Sequence, residues 1–130
     1  MQLHKPDPRW IGSKRAKRNF QLSLKTALVM TGILWTILIF DAVFELGLAR
    51  FGLRPRSFEG LLGVFTAPLI HGGFEHLFSN TLPLLVSMTA ILYLYPNSAM
   101  RVMPMIWLGS GLLGWMIGRP SLHFGASGFI

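Results

Sequence analysis

Residues 71–95 read HGGFEHLFSNTLPLLVSMTAILYLY, and the reading of this stretch decides the fold. From Phe74 to Tyr95 the run is almost wholly apolar, and its length matches the ~20 residues a helix needs to cross a bilayer. Its opening is different. His76 and Asn80 stand four apart and share one helix face, one turn from each other. His71 lies five residues before His76 and is parted from it by Gly72-Gly73, so it is expected to precede the regular helix. Polar groups in such surroundings are costly and tend to be kept for function.

Outward from this span the chain divides at residue 26. Residues 1–25 form a polar, basic tail, and residues 26–130 a membrane domain. The run from Thr26 to Phe40 carries no charge and continues through Asp41 and Glu45 to Ala49, which suits one tilted span with a more polar outer end. Residues 50–70 mix Arg50, Arg54, Arg56, Pro55 and Pro68 with Leu61, Leu62, Val64 and Phe65, a combination that fits a segment lying at the membrane interface. Pro96-Asn97-Ser98 is expected as a turn. A third span follows from Val102 to Gly118, closed by Arg119-Pro120, and a fourth begins at the end of the chain. The expected fold class is all-α: a polytopic membrane bundle with three spans plus the start of a fourth.

Composition agrees with this. Of the 130 residues 52% are hydrophobic and 13% charged, with a mean hydropathy of +0.50, whereas soluble domains carry about 25% charged residues. The absence of cysteine excludes disulfides, thiolate metal sites and thiol catalysis. The net charge of +7 comes largely from Lys5, Arg9, Lys14, Arg15, Lys17, Arg18 and Lys25. A basic arm just ahead of an apolar span fits a cytoplasmic anchor facing anionic membrane lipids. No aromatic or base-reading pattern accompanies it, so no nucleic-acid partner is expected. With the N-terminus inside, His71, His76 and Asn80 fall at the outer end of the second span. Ser127, in Gly125-Ala126-Ser127-Gly128, falls at the outer start of the fourth. Both groups reach the same leaflet.

Two hydrogen-bond donors on one helix face suit an oxyanion hole, which aims N–H groups at charge developing on a carbonyl oxygen. Each residue alone reads equally as a helix–helix hydrogen-bond contact; the shared leaflet with Ser127 favours the functional reading. A serine between glycines suits a nucleophile on a tight turn that a substrate backbone can approach. Metal binding by His71, His76 and His123 is the alternative, though no carboxylate completes that set. Gly109-Ser110-Gly111-Leu112-Leu113-Gly114 matches a dinucleotide fingerprint but lies mid-span, with no preceding strand. With Gly118 it reads instead as a small-residue packing seam whose partner is expected outside these 130 residues. Asp41 and Glu45 are expected to be solvated or paired with Arg50, Arg54 or Arg56.

His71, His76 and Asn80 in HGGFEHLFSN, followed by Ser127 in GASG, resemble the rhomboid family of intramembrane serine proteases in order and spacing. The resemblance covers roughly residues 26–130 and implies a rhomboid-like helical bundle. It implies Ser127 as nucleophile, with the His76 and Asn80 side chains and the Ser127 backbone N–H as the oxyanion hole. His71, Gly125 and Gly128 would support the site, and residues 50–70 resemble the family's membrane-embedded first loop, here with Arg54 and Arg56 but no Trp. The implied reaction is hydrolysis of peptide bonds in transmembrane substrates by a Ser-His dyad, without cofactor or metal. Its histidine base is expected outside residues 1–130, which alone are expected to be inactive. The competing reading is a non-catalytic rhomboid-like protein that binds client helices; the intact GASG speaks against it. The expected location is a bacterial cytoplasmic (inner) membrane.

Overall fold

A computed structural model of the protein describes residues 12–123. Gly125, Ser127 and Gly128, and with them the expected fourth span, lie outside the described residues. Within them the chain forms three long helices, α1 (Lys14–Phe44), α3 (Phe74–Leu94) and α4 (Pro96–Ile117), with a short α2 (Gly63–Thr66) between the first two. All three long helices are apolar enough to cross a membrane.

Helix α1 begins well ahead of the apolar run that opens at Thr26. The Ser13 side chain accepts a hydrogen bond from the Ala16 N–H at 3.0 Å, an N-cap that satisfies one orphan donor. Lys and Arg are good helix formers, and the basic stretch from Lys14 belongs to the helix. At 1.5 Å per residue its 31 residues span about 46 Å, against a hydrocarbon core of ~30 Å. The basic turns therefore extend beyond the bilayer core. At the other end Glu45 adopts the left-handed conformation with φ 50°. The Asp41 carboxylate there accepts a hydrogen bond from the Leu48 N–H at 3.0 Å. Asp41 thus caps backbone, and Arg54, one of the arginines considered for it, lies 3.6 Å from Glu59 on the surface.

Helices α1 and α3 pack along each other in antiparallel directions. Phe20 meets Tyr93 edge-on at 5.6 Å, while Trp35 meets Phe74 at 6.3 Å. The buried positions of α1, Ala16, Ser23, Ala27, Thr31, Leu34 and Leu38, repeat every three, four or seven residues, a single stripe. Leu34 and Leu38 meet Leu77 and Leu84 of α3 in one core cluster, with Trp35 against it. The Trp35 indole N–H donates to the Thr81 hydroxyl at 3.0 Å, which fixes the rotation of α3 about its axis.

Pro96 opens α4 instead of making a turn, and Tyr95 alone joins α3 to α4. Proline is at home in a first helical turn, where its missing N–H would have had no partner. The segment between α1 and α3, which we call the hook (residues 48–70), is packed into the bundle. Leu53, Val64, Ala67 and Ile70 are buried, with Trp115 of α4 against Leu53, Val64 and Ala67. Irregular backbone is tolerated at membrane depth when protein covers it. Gly111, Gly114 and Gly118 of the α4 seam pack against the hook, a partner inside these residues where one outside them was expected. A Cβ on Gly111 would lie 2.9 Å from Val64 Cγ1, one on Gly118 would lie 2.8 Å from Pro55, and one on Gly114 would just touch Leu53.

The hook also folds tightly on itself. A Cβ on Gly60 would lie 2.7 Å from the Arg54 backbone nitrogen, and one on Gly63 would lie 2.5 Å from that of Leu53. Gly60→Ala or Gly63→Ala should therefore cost about 1–3 kcal/mol by overpacking. Gly109 has nothing within 4 Å of its would-be Cβ, and Gly109→Ala should be neutral or stabilising, since alanine is the better helix former by about 1 kcal/mol. Thermal midpoints of the three variants in detergent measure the contrast.

Candidate active site

His71, His76 and Asn80 come together where the hook enters α3. The helix starts at Phe74, so His71 precedes it as expected, yet its imidazole is folded back to 5.3 Å from that of His76, edge toward face. His71 is 4% exposed. Burial holds its imidazole below the usual histidine value; the nearby His76 adds to this, and a backbone hydrogen bond with Leu69 opposes it. A neutral ring is what this environment favours.

His76 and Asn80 lie beside the face that α3 turns toward α1. Leu77, Leu84 and Met88 are buried, and Thr81 is held by Trp35, so the neighbouring positions 76 and 80 point along the flank. Both are half-buried. The Ser79 hydroxyl donates to the His76 carbonyl at 2.8 Å, a bond that engages neither the His76 ring nor the Asn80 amide. The Asn80 amide nitrogen is buried and has no hydrogen-bond partner among the described residues. Buried polar groups nearly always have a partner, so each exception calls for an explanation.

The last described residues approach this end of the bundle. Leu53 and His123 exchange two backbone hydrogen bonds, each 2.8 Å long, which places the chain four residues before Ser127 against the hook. The exposed His123 ring lies with Nε2 3.0 Å from the Arg119 carbonyl and 3.1 Å from the Ser121 hydroxyl. Among the described residues no three His, Asp or Glu side chains converge as metal ligands. A cavity of about 470 Å³ opens between the hook and the three long helices, lined by apolar residues including Met30, Leu84, Met88 and Trp107.

Two features were missed by sequence reasoning: the Trp35–Thr81 bond and the bond from the Trp115 indole to the Ser57 carbonyl, 2.8 Å long. A signal for both was present, since an indole N–H in an apolar span usually finds an acceptor.

Comparison with known proteins places this arrangement. The model of the rhomboid domain matches residues 59–130. An uncharacterized protein of Mycobacterium tuberculosis is 34% identical over 111 residues, covering 81% of this chain and 46% of its own length. One of Mycobacterium bovis gives the same figures, and one of Mycobacterium leprae is 31% identical over 111 residues, covering 81% and 44%. No solved structure matches the chain. Three membrane-crossing helices and this match define an integral membrane protein, and the chain belongs to the rhomboid family. It spans about half the length of the curated relatives it matches.

Proposed function

We propose that the protein carrying these residues is an intramembrane serine endopeptidase that cleaves peptide bonds of transmembrane substrates. Ser127 is the nucleophile. The side chains of His76 and Asn80, with the Ser127 backbone N–H, form the oxyanion hole. His71 packs behind His76, and Gly125 and Gly128 shape the turn that carries the serine. Serine needs a general base to become a good nucleophile, and none of the three nearby histidines suits that role. His76 is needed as a donor, His71 is buried behind it, and His123 is turned to its own loop. The base is assigned to a histidine beyond residue 130.

The observation that carries this reading is the buried Asn80 amide, one turn from His76 and without a partner among the described residues. A donor held ready for charge that appears during the reaction, at no reorganisation cost, is what transition-state stabilisation requires. The test is a serine-reactive fluorophosphonate applied to the protein as encoded in full, alongside cleavage of a single-span substrate. A single adduct on Ser127 that blocks cleavage is expected; cleavage that persists after complete labelling, or an adduct elsewhere, would sink the assignment.

The orientation is part of the proposal: N-terminus in the cytoplasm of a bacterial inner membrane, site toward the opposite leaflet. Because the chain has no cysteine, His4→Cys supplies a unique label. It should react with a membrane-impermeant maleimide in inverted vesicles and not in intact spheroplasts; the reverse pattern overturns the topology.

A further inference from the structure

Ser127 comes ten positions after Ile117, the end of α4, and the chain leading toward it is held as far as His123. The hook supplies the hold at several points. Leu53 and His123 exchange backbone N–H···O=C bonds in both directions, each 2.8 Å long, and the Arg56 N–H donates to the Trp115 carbonyl at 2.9 Å, closing the last turn of α4. The Trp115 indole N–H reaches back to the Ser57 carbonyl at 2.8 Å. A Cβ on Gly52 would stand 2.9 Å from the His123 carbonyl oxygen, so hook and loop meet backbone on backbone.

We infer that the hook is the positioning element of the nucleophile loop, with Trp115 as the positioning residue that ties the hook to α4 and Leu53 as the point where it holds the loop. This rests on Ser127 as nucleophile. Trp115 acts through the hook, on where the backbone at residue 123 stands, four residues before the serine. A displacement of about 1 Å from remote changes can cost ~10²-fold in rate.

The experiment compares two tryptophans in the protein as encoded in full. Trp115→Phe keeps the ring and removes the N–H that reaches Ser57. Trp35→Phe makes the same change at the Trp35–Thr81 bond, between α1 and α3 and away from the loop. At similar losses of thermal midpoint, Trp115→Phe should slow phosphonate labelling of Ser127 and lower kcat by about tenfold, within the ~10²-fold range for misplacement, with KM little changed. Trp35→Phe should leave the labelling rate near wild type. Separately, Leu53→Cys with His123→Cys tests the bridge without recourse to activity. A mutually hydrogen-bonded antiparallel pair has Cα atoms ~5.5 Å apart, which suits a disulfide. The disulfide should form on mild oxidation, and the oxidised form should label no more slowly than the reduced form. Failure to form it, slower labelling once it forms, or equal labelling of the two tryptophan variants would overturn the inference while leaving the nucleophile in place. A wild-type protein that takes no label at Ser127 would overturn the nucleophile assignment, and this inference with it, whatever the disulfide does.

Discussion

Ser127→Ala in the fully encoded protein should reduce cleavage of a single-span substrate by roughly 10⁴-fold or more, the scale seen when a serine nucleophile is removed. The size of the effect follows from the chemistry. A covalent route splits amide hydrolysis into two easier steps, and alanine leaves no oxygen to begin the first. Loss of one small hydroxyl should barely change the thermal midpoint, so activity and stability separate cleanly. The measurement is initial cleavage rate in proteoliposomes, with the midpoint recorded on the same preparation. A wild-type rate would remove Ser127 from the chemistry and require a different nucleophile for the cleavage observed. Such an outcome would also strip the glycines around Ser127 of a catalytic purpose and leave helix packing as their use.

The spans were legible because hydropathy reports what a bilayer demands. The second span was expected from Phe74 to Tyr95, and the helix runs Phe74–Leu94, bounded by Gly73 and Pro96. Helix starts were read less well. Hydropathy marks where lipid contact begins, whereas Ser13 and the basic residues after it decide where hydrogen-bonded helix begins, and Pro96 is as good a first-turn residue as a turn residue. The hook was the least legible part. Its order comes from partners distant along the chain, Trp115 on Ser57 and His123 on Leu53, and no local periodicity encodes them. The glycine seam of α4 was visible, yet its partner was not, because small residues announce a close approach without saying what approaches. At the site, the shared face of His76 and Asn80 followed from spacing alone. The fold of His71 back onto His76 did not, since Gly72-Gly73 allows the chain many paths.

Asn80→Ala and His76→Ala should each lower kcat by about 10²–10³ with a small change in KM, the usual cost of losing one oxyanion donor. Asn80 gives the sharper test. Its amide nitrogen is buried without a partner among the described residues, so truncation breaks no hydrogen bond that the described fold depends on. A helix-packing residue behaves in the opposite way: its loss leaves a partner unsatisfied and costs stability, typically about 1–3 kcal/mol. Asn80→Ala should therefore hold its thermal midpoint while turnover collapses. Asn80→Asp should be worse than alanine in turnover, because an ionised carboxylate accepts hydrogen bonds only and sets like charge against the developing oxyanion. His76→Ala also removes the ring that His71 packs against at 5.3 Å, so some loss of midpoint is expected there in addition to the fall in kcat. Donors that act together on one oxygen are not additive, and the double variant should fall short of the product of the two single effects. Steady-state kinetics and melting curves on the four variants decide the matter: midpoints that fall with unchanged turnover, or binding and turnover that decline in step, would return His76 and Asn80 to the role of packing contacts between helices.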